Sequence, residues 1–254
     1  MIDLEDIHVY YDTGLDSKIC ALRVHRLNFR KGEWCNIIGP NGSGKSTLLR
    51  VLSGGVECFE GRIRIENRDV GHWKTRNFSR LVQLLDQNPE KNIVPSMTVE
   101  ENLFLYQPQT GFRHFAFLRQ GCSKKLENFL SGFQMDIESR LASQAGLLSG
   151  GQKQAVALAA VLLRCPRILL LDEFLAAIDP QSAPKLLAVV KKIARDQEIT
   201  VITVTHNLKQ IEISGGRLIC LSSGNVADDI DANSMTQSEI LSRYTSVINQ
   251  NGLL

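Results

Sequence analysis

The fold of this chain is decided by the stretch Gly39-Pro40-Asn41-Gly42-Ser43-Gly44-Lys45-Ser46-Thr47. The apolar run Trp34 to Ile38 precedes it, and a helical pattern that begins at Leu48 follows it. Strand, glycine-rich loop and helix in this order are the context in which G-x-x-x-x-G-K-[ST] indicates a phosphate-binding loop. Backbone N–H groups of the loop and the positive end of the helix would hold a polyphosphate. We therefore expect Lys45 to reach the β and γ phosphates and the Ser46 hydroxyl to bind magnesium.

The run Ile168 to Glu173 is the candidate for the other half of the magnesium site. In it, four apolar residues are followed by two acidic residues, Asp172 and Glu173. A strand of this kind is buried on both faces, and nucleotides bind at the carboxyl edge of such sheets. We expect Asp172 to hold the hydrated magnesium ion. Glu173, one position further on, is suited to orient and polarise an attacking water.

Composition limits the class of protein. The chain has 254 residues, 43% of them hydrophobic, which is ample for a buried core. Its formal net charge of +2 and its scattered basic residues do not favour a nucleic-acid partner. The acidic start Met1 to Asp6 lacks the pattern of a signal peptide. The apolar stretch Ala155 to Leu163 falls short of the ~20 residues of a membrane helix, so we expect no membrane span.

The cysteines argue against a zinc ribbon or a thioredoxin-like motif, because no C-x-x-C pair occurs. They lie at positions 20, 35, 58, 122, 165 and 220. We expect all six to be small core residues in a reducing compartment.

Apolar runs alternate with helical patterns, which is typical of a parallel sheet covered by helices. The predicted strands are Trp34 to Ile38, Arg62 to Glu66, Leu81 to Leu85, Ile168 to Leu171, Ile199 to Thr205 and Arg217 to Leu221. The apolar spacing between Ser182 and Arg195 predicts an amphipathic crossover helix. The predicted fold class is an α/β P-loop NTPase core, with a mixed, largely parallel sheet flanked by helices and an added α-helical subdomain.

The predicted organisation is a single domain over residues 1–254. Residues 1–97 and 165–227 would form the nucleotide-binding core, and 98–164, poor in β-branched alternation, an inserted helical subdomain. The polar segment 228–254 is predicted to carry a closing helix near Ser238 to Ile248. A basic and aromatic stretch from Arg113 to Lys125 is either a partner-docking patch or, the reading we favour, a solvated loop.

The stretch Leu148-Ser149-Gly150-Gly151-Gln152 is a second predicted anion-binding turn, or anion cradle, just before the helical run Gln154 to Leu163. Because the phosphate loop already fills that role, a second cradle makes sense for a nucleotide held mainly by another copy. This pentapeptide resembles the signature motif of the ABC ATPases, and the resemblance extends from about Leu4 to Asn225.

Other elements resemble that family in the family's order. Gln87 matches the Q-loop glutamine, which in the family touches magnesium and the lytic water. Asp179 lies in a run similar to the D-loop, and His206 matches the switch histidine that contacts the γ phosphate. Tyr11 aligns with the aromatic residue that stacks on adenine, and its neighbour Tyr10 could do so instead.

Two positions depart from the family. Phe174 stands where a proline is common, and Ala155 stands where an arginine often follows the signature. Neither position supplies a phosphate ligand or a base, so we expect altered packing and intact hydrolysis.

The resemblance implies an ATPase that uses ATP and Mg²⁺ and powers a transporter, with uptake favoured over export. The implied partners are integral membrane permease subunits, a second copy or a homologous cassette, and an extracytoplasmic binding protein. The implied location is peripheral, at the cytoplasmic face of the inner membrane. The alternatives are a non-transport ABC ATPase in cell division or cofactor assembly, and an exporter subunit. A metabolic kinase would have no use for the second cradle.

Overall fold

The computed structural model describes residues 2–12, 18–56, 59–70, 73, 75–106 and 122–251. The strands are β1 (Ile2–Asp12), β2 (Lys18–Phe29), β3 (Trp34–Ile38), β4 (Glu60–Ile65), β5 (Arg68–Asp69), β6 (Val82–Leu85), β7 (Ile168–Asp172), β8 (Thr200–Val204), β9 (Arg217–Ser222) and β10 (Asn225–Asp231). The helices are α1 (Lys45–Ser53), α2 (Thr75–Leu81), α3 (Val99–Tyr106), α4 (Cys122–Ser131), α5 (Gly150–Leu163), α6 (Ala183–Asp196), α7 (Leu208–Ser214) and α8 (Gln237–Asn251). None of these helices is long and apolar enough to cross a membrane.

The chain divides into two compact units. The first comprises residues 1–84, 167–173 and 198–254, and the second comprises 85–166 and 174–197. The domain boundaries predicted above stay a prediction.

A six-stranded sheet forms the centre of the first unit, in the order β10-β9-β3-β8-β7-β6. Strand β3 pairs in parallel with β8 and β9, and β7 pairs in parallel with β8. Successive side chains of a strand point to opposite faces. Cys35 and Ile37 accordingly join one buried cluster, whereas Ile38 joins another with residues of α7 and α8. Burial on both faces explains why these strands read as apolar runs.

A separate four-stranded antiparallel sheet, β2-β1-β4-β5, was not predicted. The run Arg62 to Glu66, expected in the parallel sheet, contributes instead to β4 of this sheet. Its strands bury one face: Ile2, Leu4, Ile7 and Val9 alternate with more exposed residues along β1. That face packs in one cluster with α1 and the central sheet. Polar residues alternate with the apolar ones in these strands, so the sequence shows no continuous apolar run at these positions.

Several boundaries differ from the predicted ones. Helix α1 begins at Lys45 and α5 at Gly150, so both glycine-rich motifs run directly into helical backbone. Strand β10 was also missed, because Asn225–Asp231 is a polar edge strand that pairs only with β9 along the described chain. The predicted crossover and closing helices correspond to α6 and α8.

The cysteines correct one expectation. Cys35 and Cys220 are buried, Cys20 is partly exposed and Cys165 is exposed, so not every cysteine is a core residue. Burial raises the pKa of the Cys35 thiol, and raises that of Cys220 to about 12. Cys165 has a positive φ of 50° just after α5, where the turn keeps its side chain at the surface. Cys58 lies outside the described residues, as does most of the stretch from Arg113 to Lys125.

The second unit is helical. Its helices α3 and α5 lie in contact, and residues 154–162 of α5 are buried. Buried Asn102 ties the start of α3 to the preceding loop: its side-chain amide donates to the Val94 and Thr98 carbonyls, and its oxygen accepts from the Val94 N–H at 2.6 Å. The loop before α3 is therefore held by side-chain hydrogen bonds, as buried polar groups require.

Candidate active site

The predicted phosphate loop wraps the side chain of Lys45. Lys45 is 7% exposed, and its ammonium donates hydrogen bonds to the carbonyl oxygens of Gly39 at 2.8 Å and Pro40 at 2.9 Å. Burial lowers the pKa of the Lys45 ammonium, and the carboxylates of Glu173 and Asp172 act in the opposite direction. The lysine charge therefore lies inside the loop, facing the two carboxylates predicted to join it.

Glycines are required in this loop for two different reasons. Gly44 has a φ of 98°, and a Cβ there would lie 2.7 Å from the carbonyl oxygen of Ala21. Gly42 also has a positive φ, of 79°, but nothing among the described residues lies within 4 Å of its Cβ position. Gly39 approaches the Leu221 carbonyl so closely that a Cβ would meet it at 2.3 Å. Gly39 and Gly44 thus leave no room for a side chain, whereas Gly42 is favoured by its positive φ alone.

One buried polar atom in the loop lacks a partner. The Ser43 hydroxyl is buried and has no hydrogen-bond partner among the described residues. A buried hydroxyl without a partner is costly unless a ligand supplies one. Ser46 and Asn41 are exposed at the same loop, and Thr47 is partly exposed. With Asp172, the Ser46 hydroxyl makes an oxygen donor set of the kind that magnesium prefers. The residues present therefore fit a phosphate group and its metal.

The carboxylates and the histidine converge at the carboxyl edge of the central sheet. Asp172 ends β7, and Glu173 follows it with a left-handed φ of 44°, its N–H donating to the Val204 carbonyl at 3.0 Å. His206 follows β8 on the neighbouring strand. Its Nε2 lies 3.0 Å from a carboxylate oxygen of Glu173, with side-chain exposures of 45% and 25% respectively. The structure thus brings together four predicted residues from three segments: Lys45, Asp172, Glu173 and His206.

A support for the phosphate loop was missed in the sequence. Strands β1 and β2 change register between Val9 and Tyr10, so that Ala21 bulges out of the ladder toward Gly44. Gly224, in the turn between β9 and β10, donates its N–H to the Ser43 carbonyl at 3.1 Å and accepts from the Arg23 N–H at 2.6 Å. The Ser-Gly dipeptide before Asn225 was the available turn signal.

The candidate adenine residues lie at the end of β1. Tyr10 is 40% and Tyr11 39% exposed, so both rings are open to a ligand. The Tyr10 ring makes an edge contact with His8, with centroids 6.4 Å apart.

Gln87 belongs to the second unit and is exposed at the start of an ordered loop. The Asp86 N–H donates to Asn92 and the Asn88 N–H to Asp86, each at 3.0 Å. Lys153 of α5 pairs with Glu90 at 3.0 Å. Side-chain hydrogen bonds and an ion pair thus fix the backbone that carries Gln87.

The signature residues form the start of α5. Ser149 accepts a hydrogen bond from the Gln152 N–H, and the Gln152 side chain accepts from the Ser149 N–H, both at 3.3 Å. This reciprocal capping box was missed, although S-x-x-Q before an apolar run is its sequence signal. Ser149 and Gly150 are exposed, and Gly151 and Gln152 are partly exposed. The positive end of a long helix is therefore accessible at this turn.

The predicted D-loop packs on the signature turn. A Cβ on Gly151 would lie 3.5 Å from the Ile178 side chain and 3.9 Å from the Ala177 carbonyl. Asp179 is exposed and caps the next turn by accepting from the N–H groups of Gln181 and Ser182. Hydrogen bonds from Ser182 lower the pKa of the Asp179 carboxyl. Asp179 thus orders the approach to α6.

Comparison with known proteins identifies the family. Residues 22–176 match the family model described as ABC transporter. The chain is 34% identical over 221 residues to the tyrosine transport ATP-binding protein of Clostridioides difficile, covering 86% of this chain and 88% of that protein. It is 35% identical over 198 residues to the energy-coupling factor transporter ATP-binding protein EcfA1 of Streptococcus pneumoniae, covering 78% and 68%.

Solved structures share the fold. A dimeric structure of the ATP-binding cassette MJ0796, in a post-hydrolysis state bound to ADP and Pi, superposes with a TM-score of 0.79 at 26% identity. The superposition covers 92% of this chain and 100% of that one. The fold and the site define a P-loop ATP-binding cassette. The chain belongs to the ABC transporter family.

Proposed function

We propose that this chain is the ATP-hydrolysing subunit of a transporter and powers solute uptake through separate membrane subunits. The observation that carries the proposal is the convergence of Lys45, Asp172, Glu173 and His206, with His206 Nε2 3.0 Å from the Glu173 carboxylate. The likeness to ATP-binding proteins of tyrosine and energy-coupling factor transporters supports a role in uptake.

In this proposal each residue acts on one part of the reaction: the phosphates, the magnesium ion, the attacking water or the adenine. Residues Gly39 to Thr47 hold the triphosphate, with Lys45 on the β and γ phosphates. Ser46, Asp172 and Gln87 would hold Mg²⁺, which when bound neutralises charge on the phosphate oxygens. Glu173 accepts the proton of the attacking water, and His206 contacts the γ phosphate beside it. Tyr11, or Tyr10 in its place, stacks on the adenine.

A second cassette completes the site. We place Ser149 to Gln152 of one copy against the triphosphate held by the other, with Asp179 near the same interface. The exposed start of α5 supports this arrangement, because helix N-termini with free N–H groups attract phosphate. A two-fold dimer uses the same surface on both copies. Loss of the γ phosphate would weaken this contact and release the dimer.

The proposed partners are integral membrane permease subunits, a second copy or homologous cassette, and an extracytoplasmic binding protein. The permease would contact the second unit near Gln87, at the cytoplasmic face of the inner membrane. We propose no nucleic-acid partner, since the net charge of +2 does not favour binding of a polyanion.

The test measures phosphate release from Mg-ATP by the purified chain and identifies what co-purifies with it from membranes. We expect hydrolysis that Lys45→Met abolishes through lost nucleotide binding, together with a co-purifying multi-span protein. A partner found only in the soluble fraction would favour the non-transport role. Absence of hydrolysis in the assembled complex would refute the enzymatic proposal.

A further inference from the structure

The turn that carries His206 rests on three buried polar side chains. Thr203 is 0% exposed, Thr205 3% and Gln210 4%, next to the buried apolar residues Val201, Ile202 and Val204 of β8. Buried polar groups cost stability unless they are hydrogen-bonded. Apolar packing alone therefore does not explain why these three polar side chains are buried at the end of β8 and the start of α7.

The hydroxyl of Thr205 is the centre of this cluster. It donates its single hydrogen to Gln210 Oε1 at 2.8 Å and accepts a hydrogen bond from the Asn207 N–H at 3.1 Å. Because a hydroxyl has one hydrogen and free lone pairs, donation toward Gln210 leaves a lone pair directed at Asn207. Thr205 and Asn207 flank His206, so this one hydroxyl links the backbone on both sides of the histidine.

Gln210 is held at its other atoms as well. Its side-chain amide donates to the Thr203 hydroxyl at 3.4 Å. Its backbone N–H lies in the first turn of α7, 3.0 Å from the carbonyl and 3.3 Å from the side-chain oxygen of Asn207. Gln210 therefore joins the end of β8 to the start of α7, and its amide oxygen has a fixed place.

The histidine turn faces the proposed base. The Thr205 N–H donates to the Ile37 carbonyl of β3, and the Glu173 N–H donates to the Val204 carbonyl at the end of β8. The backbone of Glu173 and the backbone before His206 thus share the same strand end, and their side chains meet at 3.0 Å. A shift of the turn would change that distance directly.

We propose that Gln210 is a positioning residue for the ATPase reaction: through Thr205 it fixes the turn that aims His206 at Glu173 and the γ phosphate. Gln210 itself touches no substrate. This inference rests on the proposed hydrolytic function, and it adds a residue that the sequence motifs do not mark. Hydrogen bonds from the buried Gln210 amide fix the orientation of the turn, which apolar packing alone would not do.

The first experiment is kinetic and uses the full chain. We expect Gln210→Leu and Thr205→Val, each close in volume to the native residue, to lower kcat about tenfold or more while leaving KM for ATP nearly unchanged. Thr205→Ser, which keeps the hydroxyl, should retain nearly normal turnover. The matched control is Ser214→Ala at the other end of α7, where Ser214 is 4% exposed and donates to Asn36 at 3.0 Å. It should lose stability and keep its kcat.

The second experiment reads the geometry without turnover. With ¹⁵N-labelled histidine, the chain has only five histidines, and His206→Ala identifies the ring signals of His206. We expect Glu173→Gln to shift those signals strongly in the wild-type and Ser214→Ala backgrounds, and only weakly in the Gln210→Leu background. A residue with a merely structural role would leave that shift unchanged.

The outcomes separate the two proposals. Normal turnover in both Gln210→Leu and Thr205→Val, or an undiminished signal shift, would overturn the positioning role while leaving the function intact. Normal turnover in His206→Ala and Glu173→Gln would instead overturn the assigned active site. If Gln210→Leu does not fold, the pair Thr205→Val and Thr205→Ser decides the question.

Discussion

At the scale of single residues, the backbone at Glu173 is strained at the candidate active site. A non-glycine residue at a φ of 44° is strained, by roughly 1–2 kcal/mol. The strain is sustained because buried β7 ends directly before Glu173 and its N–H bonds to β8. Backbone strain of this kind is concentrated at functional sites.

Replacing Glu173 with glutamine tests the proposed base. The amide keeps the shape of the side chain but cannot accept the proton of the water, so we expect turnover to fall about a hundredfold or more. Nucleotide affinity should stay close to the wild-type value, since the phosphate loop is untouched. Phosphate release and equilibrium nucleotide binding measure the two quantities. Wild-type turnover in this variant would exclude Glu173 as the base.

The phosphate loop offers a matched pair of glycines. Gly44→Ala places a Cβ 2.7 Å from the Ala21 carbonyl, whereas Gly42→Ala meets nothing within 4 Å among the described residues. Both changes share the strain of a positive φ, so the pair isolates the steric clash. We expect Gly44→Ala to bind ATP with an affinity more than tenfold lower than that of Gly42→Ala, because its loop must move away from Ala21. Titration with a fluorescent nucleotide measures both, and equal affinities would show that the bulge does not constrain the loop.

The sequence predicted well which candidate residues would lie together, and their roles stay a prediction. Lys45 was proposed from the order of strand, loop and helix, and Asp172 and Glu173 from their place after a buried strand once the phosphate loop had been recognised. His206 needed the resemblance, since a lone histidine after a strand is usually structural. The proposed role of Gln210 could not be predicted, because it depends on side-chain hydrogen bonds between α7 and the end of β8 that no sequence motif marks.

At the scale of elements, helix starts carry much of the local order. A capping box begins α3: Thr98 and Glu101 exchange hydrogen bonds, with the Thr98 N–H donating to the Glu101 carboxylate at 2.7 Å. The same device begins α8 and α5. These boxes satisfy N–H groups that a helix cannot pair internally.

The capping box of α3 makes stability depend on pH. Hydrogen bonds from the Thr98 backbone and side chain lower the pKa of the Glu101 carboxyl. The stability contributed by Glu101 is therefore fully present above its unfolded pKa of about 4.3 and is lost as pH falls through the lower folded-state pKa. We expect Glu101→Gln to lower Tm at pH 7. The difference in Tm from wild type should shrink as pH falls from about 4.3 through the lower folded-state pKa of Glu101.

Thermal unfolding over a pH series measures this effect. The control is Glu100→Gln on the adjacent residue, which lies outside the capping box and should leave Tm nearly unchanged at pH 7. A difference between Glu101→Gln and wild type that stays constant down to low pH would mean that the Glu101 charge does not stabilise α3.

Elements were predicted unevenly, for a physical reason. Strands buried on both faces read as apolar runs, so β3, β7, β8 and β9 were found near their true bounds. Strands with one exposed face, β1 and β2, carry alternating polar residues and were missed. Their pairing depends on partners distant in sequence, which a local pattern does not contain.

At the scale of the whole molecule, phosphate loop and signature lie in different units of one chain. A site completed within one chain and a site completed between two copies therefore make different predictions for mixed variants. Lys45→Met removes the phosphate-loop charge, and Ser149→Arg blocks the signature turn. Each variant alone should form no competent site and hydrolyse almost no ATP.

Mixing the two inactive variants should restore activity if the signature acts across a dimer. In the heterodimer, the phosphate loop of the Ser149→Arg chain meets the intact signature of the Lys45→Met chain, so one of its two sites is complete. Statistical pairing then gives about a quarter of the wild-type sites, and turnover should recover toward that fraction. Mixing each variant with a chain that carries both substitutions is the control, because no complete site can form. Recovery absent at every mixing ratio, in chains that still dimerise, would mean that Ser149 serves the nucleotide of its own chain.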